Sequence, residues 1–191
     1  MNNLEIIMLV IIGFSLSATC GFRVFVPLLG LSIASYFDLI NLNSEFDWMG
    51  TLPVIIAFSI ATILEMTAYL IPWVDNALDA IASPVAIIAG IIVSASIITD
   101  MSPLIQWTLA VIVGGGSAGT IQTSTVALRG TSTATTGGFT NFLISLFEDF
   151  ISIIITILVI IAPIIAFILI LLFLLLSYKI IKRIKNKLIP N

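Results

Sequence analysis

From Phe150 to Tyr178 the chain carries no charged residue and is almost unbroken Ile, Leu and Phe. A run of that length and composition is not a core helix of a small soluble domain; it is material for the hydrocarbon layer of a membrane. There a helix of about 20 apolar residues crosses roughly 30 Å. The rest of the 191 residues follow the same rule, with 60% hydrophobic, only 9% charged and a mean hydropathy of +1.25. Soluble domains carry about a quarter charged residues. Long apolar stretches in lipid must satisfy their own backbone, which helices do. The predicted fold is therefore all-α, a polytopic transmembrane helix bundle forming one domain over residues 1–191.

The interruptions set the number of crossings. The first apolar stretch, Leu4 to about Tyr36, is too long for one straight helix and contains Gly21 and Pro27. It predicts a crossing kinked or broken between Thr19 and Pro27. Residues 37–51 (FDLINLNSEFDWMGT) read as a polar loop, and a second crossing runs from Leu52 to Ile71, stopping at Pro72. Residues 73–83 read as a short interfacial helix, with a third crossing from Pro84 to Thr99. The fourth opens at Pro103 and reaches about Leu128, since residues 129–141 (RGTSTATTGGFTN) are too polar and glycine-rich for lipid. Pro163 interrupts the last stretch with no glycine or polar turn beside it, which favours one long kinked helix. That makes five crossings, or six if residues 139–178 fold back.

The aromatic residues Tyr36, Trp48, Trp73, Trp107 and Tyr178 fall near these ends, where amphipathic rings prefer the headgroup level. Five of the seven basic residues (Lys179, Lys182, Arg183, Lys185 and Lys187) follow the last stretch, in the tail 179–191. The positive-inside rule places that tail in the cytoplasm and the chain in the plasma membrane, with an external N-terminus for five crossings. Met1 to Glu5 holds no Lys or Arg, so the first apolar segment is expected to be retained rather than cleaved as a signal peptide.

Absences narrow the chemistry. There is no histidine, hence no His-based triad or imidazole metal ligand, and Cys20 is alone. Neither a metal nor a cofactor is expected, and no enzyme activity. The chain has no basic patch interleaved with aromatics, which excludes nucleic acid as a partner. Membrane lipids, a small solute or ion, and a second copy of the chain remain.

A shift of 100 residues aligns the first stretch with the fourth, with identities at seven of 22 positions between residues 9 and 30, including Ser17/Ser117, Ala18/Ala118 and Gly30/Gly130. Three crossings separate the copies, so the halves, about 1–100 and 101–178, are expected to form an inverted repeat of the kind found in transporters. Arg23 and Glu65 lie inside spans, where an ionisable group costs several kcal/mol unless paired or hydrated. Ten of the twenty residues from Ser117 to Thr136 are Ser or Thr. Ser117, Thr120, Thr123, Ser124, Thr133, Thr135 and Thr136, with Glu148 and Asp149, are the candidate lining of a solute or ion path shared with Arg23 and Glu65. Gly114, Gly115, Gly116, Gly119, Gly137 and Gly138, with Gly21, Pro27 and Pro163, are the candidate helix breaks or close-packing positions. The competing reading is purely structural: small residues packing helices, hydroxyls bonding to backbone carbonyls, and a membrane subunit that contacts lipid or stabilises a partner.

Three motifs add a resemblance. Gly21-Phe22-Arg23-Val24-Phe25-Val26-Pro27-Leu28, Pro72-Trp73-Val74-Asp75-Asn76-Ala77-Leu78-Asp79-Ala80-Ile81, and Ser132-Thr133-Ala134-Thr135-Thr136-Gly137-Gly138 followed by Glu148-Asp149 resemble the prokaryotic membrane-protein family called domain of unknown function 4126. The similarity covers nearly the whole chain in order, departing at Asn141-Phe142, where a Gly-Asn-Pro type of turn would be expected. It implies a multi-pass membrane protein and no particular activity.

Overall fold

The computed structural model describes residues 3–71, 74–99 and 101–188, with only the backbone given for residues 3, 76 and 180–188. Its regular structure is helical throughout: α1 (Asn3–Cys20), α2 (Phe25–Tyr36), α3 (Leu52–Tyr69), α4 (Val74–Ile97), α5 (Pro103–Leu109), α6 (Gly116–Thr136), α7 (Asn141–Ile161) and α8 (Pro163–Leu188). A 3-10 turn, Ser44–Gly50, precedes α3, and a π-helical stretch, Ala110–Gly115, joins α5 to α6 without a break. Four stretches are long and apolar enough to cross a membrane: Leu52–Tyr69, Ala77–Ile97, Pro103–Thr136 and Asn141–Ile161. Leu4–Cys20, Phe25–Tyr36 and Pro163–Lys179 are shorter apolar helices. The outside is as apolar as the inside, with Ile56, Ile60, Ile63 and Leu64 of α3 all more than half exposed. This is an integral membrane protein.

The first stretch breaks at Gly21–Val24, inside the predicted interval, but the chain reverses there instead of crossing. On α1, Ser17 donates to the Gly90 carbonyl at 2.7 Å and Gly13 lies against Ser94, so α1 runs antiparallel to α4. After α2, the Asn43 amide donates to the Ser96 carbonyl at 2.8 Å, back at the C-terminal end of α4. α1 and α2 are thus the arms of a hairpin whose apex, holding Arg23, is inside the bundle. Gly21 permits this, because a Cβ there would run into the Ala118 carbonyl and lie 2.6 Å from Ile121 Cβ.

Three further expectations are corrected. Residues 73–83 are not a separate interfacial helix: Val74–Ile97 is one helix that absorbs Pro84, since a packed helix survives one missing amide (Pro72 and Trp73 lie outside the described residues). The fourth span does not stop near Leu128. It continues to Thr136 and ends at Gly137, whose φ of +65° is the left-handed conformation that glycine adopts cheaply. The last stretch is not one kinked helix. Phe22 meets Phe173 edge-on at 4.9 Å while its neighbour Arg23 reaches Glu148, so Phe173 stands level with Glu148 and α8 folds back along α7. Ala162, at φ −143° and ψ 67°, makes that turn alone, and Pro163 opens α8 where its missing amide costs nothing.

The repeat is also corrected in its sense. Gly90 of α4 abuts Gly114 and Ala118, while Ile87 abuts Gly119, so the π segment and α6 run antiparallel to α4 just as α1 does. The stretches around Ser17 and Ser117 are therefore neighbours that run parallel. A pair related by inversion in the membrane plane would run opposite ways.

Candidate functional site

The hairpin apex delivers Arg23 into the bundle, 1% exposed. Nε donates to Asp149 Oδ1 at 2.5 Å and Nη1 to Glu148 Oε2 at 2.9 Å; Nη1 also donates to the Phe22 carbonyl at 3.0 Å and Nη2 to the Ser145 carbonyl at 3.1 Å. A second arginine completes the centre. Arg129 of α6, also 1% exposed, pairs with Asp79 of α4 and with the same Glu148 Oε2. Both guanidinium carbons lie over the Tyr69 ring, 4.2 Å (Arg23) and 4.4 Å (Arg129) from its centroid, and the Tyr69 hydroxyl donates to Asp79 at 3.2 Å. Asn141, the first residue of α7, donates to Asp75 Oδ2 at 2.8 Å and to Thr133 Oγ1 at 3.0 Å. Five elements thus converge on one charged centre.

The local sequence explains each placement. Glu148 and Asp149 sit on adjacent positions of α7, so one arginine can span both. Asp75 and Asp79 are four apart on α4 and share a face. A planar guanidinium with five donors suits shared carboxylates and an aromatic face better than a lysine would. Losing one partner of such a buried network costs about 3–5 kcal/mol, because the other charge is stranded.

The sequence-predicted residues divide. Glu148 and Asp149 join Arg23. Glu65 does not pair with Arg23; its two oxygens accept from the Val24 and Phe25 amides at 2.7 and 3.0 Å, capping the start of α2. The hydroxyls of α6 are not brought together. Thr120, Thr123, Thr135 and Thr136 are exposed, and each donates to a carbonyl of its own helix, as does the buried Ser124. Ser117 bonds the Gly114 carbonyl at 3.1 Å, and Thr133 alone of this set reaches the centre, through Asn141. Gly114 allows close contact with α4 and Gly115 and Gly119 pack against Ile91 and Ile87, whereas Gly116 has open space around it.

Arg129, Tyr69, Asp79, Asp75, Asn141 and Ser145 are absent from the expected set. One signal pointed to Arg129: of the seven basic residues, only Arg23 and Arg129 precede the tail. Several polar atoms in or beside the centre are buried without a hydrogen-bond partner, among them Glu148 Oε1, Arg129 Nε, Asn141 Oδ1, Ser145 Oγ and Ser152 Oγ. Among the described residues no group of three or more His, Cys, Asp or Glu is arranged to hold a metal ion. A largely apolar groove of about 470 Å³ between α3 and α4, lined by Val24, Phe25, Glu65, Tyr69 and Leu78 among others, reaches the hairpin apex from the bundle's flank.

The family model described as domain of unknown function (DUF4126) matches residues 10–183. No curated protein and no solved structure matches the chain.

Proposed function

The chain belongs to the DUF4126 family, and we propose that it passes a small solute or ion across the membrane through the two-arginine centre. One observation carries this: Arg23 and Arg129 converge with Asp79, Glu148 and Asp149 around Tyr69 at the apex of a broken helix, with polar atoms beside them left unpartnered. Charges within membrane helices are expensive and by default mark a path or binding site. Interrupted helices hold such sites in transporters. Binding and passage, rather than catalysis, is the reading, since no histidine or activated nucleophile joins the carboxylates. In the same reading the chain lies in the plasma membrane with its basic tail in the cytoplasm.

Proteoliposomes test this with a panel of inorganic ions and small metabolites. Arg23→Gln combined with Asp149→Asn removes a matched pair of charges, so the variant should fold yet lose the flux of the wild type. If the double variant transports as well as the wild type, or no solute moves at all, the reading fails. The outward face of α6, with Gly116, Thr120 and Thr123 exposed, favours a second reading in which small residues pack against a partner helix or another copy.

A further inference from the structure

We infer that Glu148 binds a proton and that one face of α7 conducts it, so that H⁺ is the ion moved or coupled in the permeation reading above, on which this inference rests. The reasoning starts from charge. Arg23 and Arg129 are the only basic residues before Lys179, and α8 brings no charge between Pro163 and Tyr178. Against them stand Asp79, Glu148 and Asp149 in direct contact, Asp75 through Asn141, and Glu65 on the amides next to Arg23. With every carboxyl ionised, this buried group is net negative, which a low-dielectric interior does not tolerate uncompensated. A metal cation would need a shell of converging oxygens, and among the described residues no such group of acids exists. A proton needs none.

Its place is Glu148. Oε2 takes both arginines, while Oε1 is the one carboxylate oxygen among the described residues that is buried with no hydrogen-bond partner. The other charged or titratable groups around it are Arg23 from the apex, Arg129 from α6, Asp75 and Asp79 from α4, Glu65 and Tyr69 from α3, Cys20 at the end of α1, and Asp149 beside it.

The route is a file of equally unsatisfied atoms. Asn141 Oδ1, Ser145 Oγ, Ser152 Oγ and Thr156 Oγ1 are buried without partners on the same helix as Glu148. At about 100° per residue, these five positions fall within an arc of about 80°, with a rise of about 4.5–6 Å between neighbours. One bridging water spans such a gap. The file covers about 22 Å of a hydrocarbon layer of roughly 30 Å. It starts beside the exposed turn at Gly137–Phe139 and ends where the Thr156 methyl packs on Gly30 of α2, with no room for a Cβ. In each transfer the Glu148 O–H bond breaks as a water accepts the proton, a proton from the other side of the file restores it, and no electrons are exchanged.

The test uses the full chain in vesicles loaded with a pH-sensitive dye and driven by a potassium diffusion potential. Wild type should carry protons, Glu148→Gln should fall to the protein-free background, and Ser152→Val should slow the flux several-fold. Thr123→Ala, on the outward face of α6, should match the wild type. If Glu148→Gln does not fold, Ser152→Val decides: wild-type proton flux in that variant overturns the inference. Vesicles that pass another solute but no protons, with a rate indifferent to the pH gradient, overturn the proton assignment and leave the permeation reading standing. Vesicles that pass nothing overturn both.

Discussion

α6 and α7 invert each other's appearance. α6 is the polar helix by sequence, with ten hydroxyls between Ser117 and Thr136, yet six of them (at 120, 123, 124, 131, 135 and 136, all exposed except Ser124) are spent on carbonyls of their own helix. α7 is overwhelmingly Ile, Leu and Phe, yet its few polar residues, Asn141, Ser145, Glu148, Asp149, Ser152 and Thr156, are all buried. A Ser or Thr that back-bonds to residue i−4 costs little and says little about function. A buried polar atom without a partner costs about 1–3 kcal/mol, and the fold must have a reason to keep it. Polarity marks a site through where it points, and composition along the helix does not reveal that.

The largest expected effect tests the centre against the face. Arg129→Ala should destabilise the protein by about 3–5 kcal/mol, because Glu148 would be left with Arg23 alone and Asp79 with only the Tyr69 hydroxyl. Thr131→Ala, two residues along on the exposed side of the same helix, should not matter. Thermal unfolding in detergent, alongside the recovered folded yield, measures both. If the arginine variant is as stable as the threonine variant, the network is not what holds this end of the bundle.

A smaller effect separates the two sides of α6 by glycine. Gly21→Val should cost about 1–3 kcal/mol, since the added atoms meet the Ala118 carbonyl and Ile121 on the buried side, and helix backbone does not step aside. Gly116→Ala has open space and a helical backbone, so it should stabilise by about 0.5–1 kcal/mol. Equal responses from the two variants would mean that α6 is not packed on one side alone.

How far this was readable from the sequence follows the same division. The membrane class, the break between Thr19 and Pro27 and an interruption at Pro163, expected as a kink and found as a reversal, rest on local signals, namely apolar length, Gly and Pro. The direction taken after each break is not local. Ala162 alone reverses the chain, without the glycine or polar turn that a hairpin ordinarily shows. The apex at Gly21–Val24 turns back because Glu65, distant in sequence, satisfies the first amides of α2. Arg129 was hidden by a composition that looks like a loop, although the segment stays helical to Thr136 with its hydroxyls bonded back to carbonyls of the same helix. The parallel sense of α1 and α6 follows from both packing antiparallel against α4, with Gly90 and Gly114 letting α4 approach the second of them closely, which no alignment of the two stretches contains.

Ser152→Ala sharpens the comparison on α7 itself. If its buried hydroxyl stood dry and unpaired, removing it would stabilise the protein by about 1 kcal/mol or more. A hydroxyl that holds a water of the proton file loses a real partner instead, and the substitution should leave stability within about 0.5 kcal/mol while slowing proton flux. The pair of readouts matters, because a stabilised variant with unchanged flux would show the file to be dry.

The smallest effect is expected from the residues most conspicuous in the sequence. Thr120 and Thr123 are exposed, and their hydroxyls donate at 2.7 Å to the Gly116 and Gly119 carbonyls, acceptors that the helix already engages. Alanine there removes an accessory bond, gains helix propensity and exposes no buried group, so the terms nearly cancel. The double variant Thr120→Ala, Thr123→Ala should therefore stay within about 0.5 kcal/mol of wild type in unfolding and should not change solute or proton flux. A large loss of flux would return the path to the outward face of α6 and make the groove beside Gly116, Gly119 and Tyr178 its lining. A large loss of stability with flux intact would instead point to a helix from a partner or second copy resting on that face.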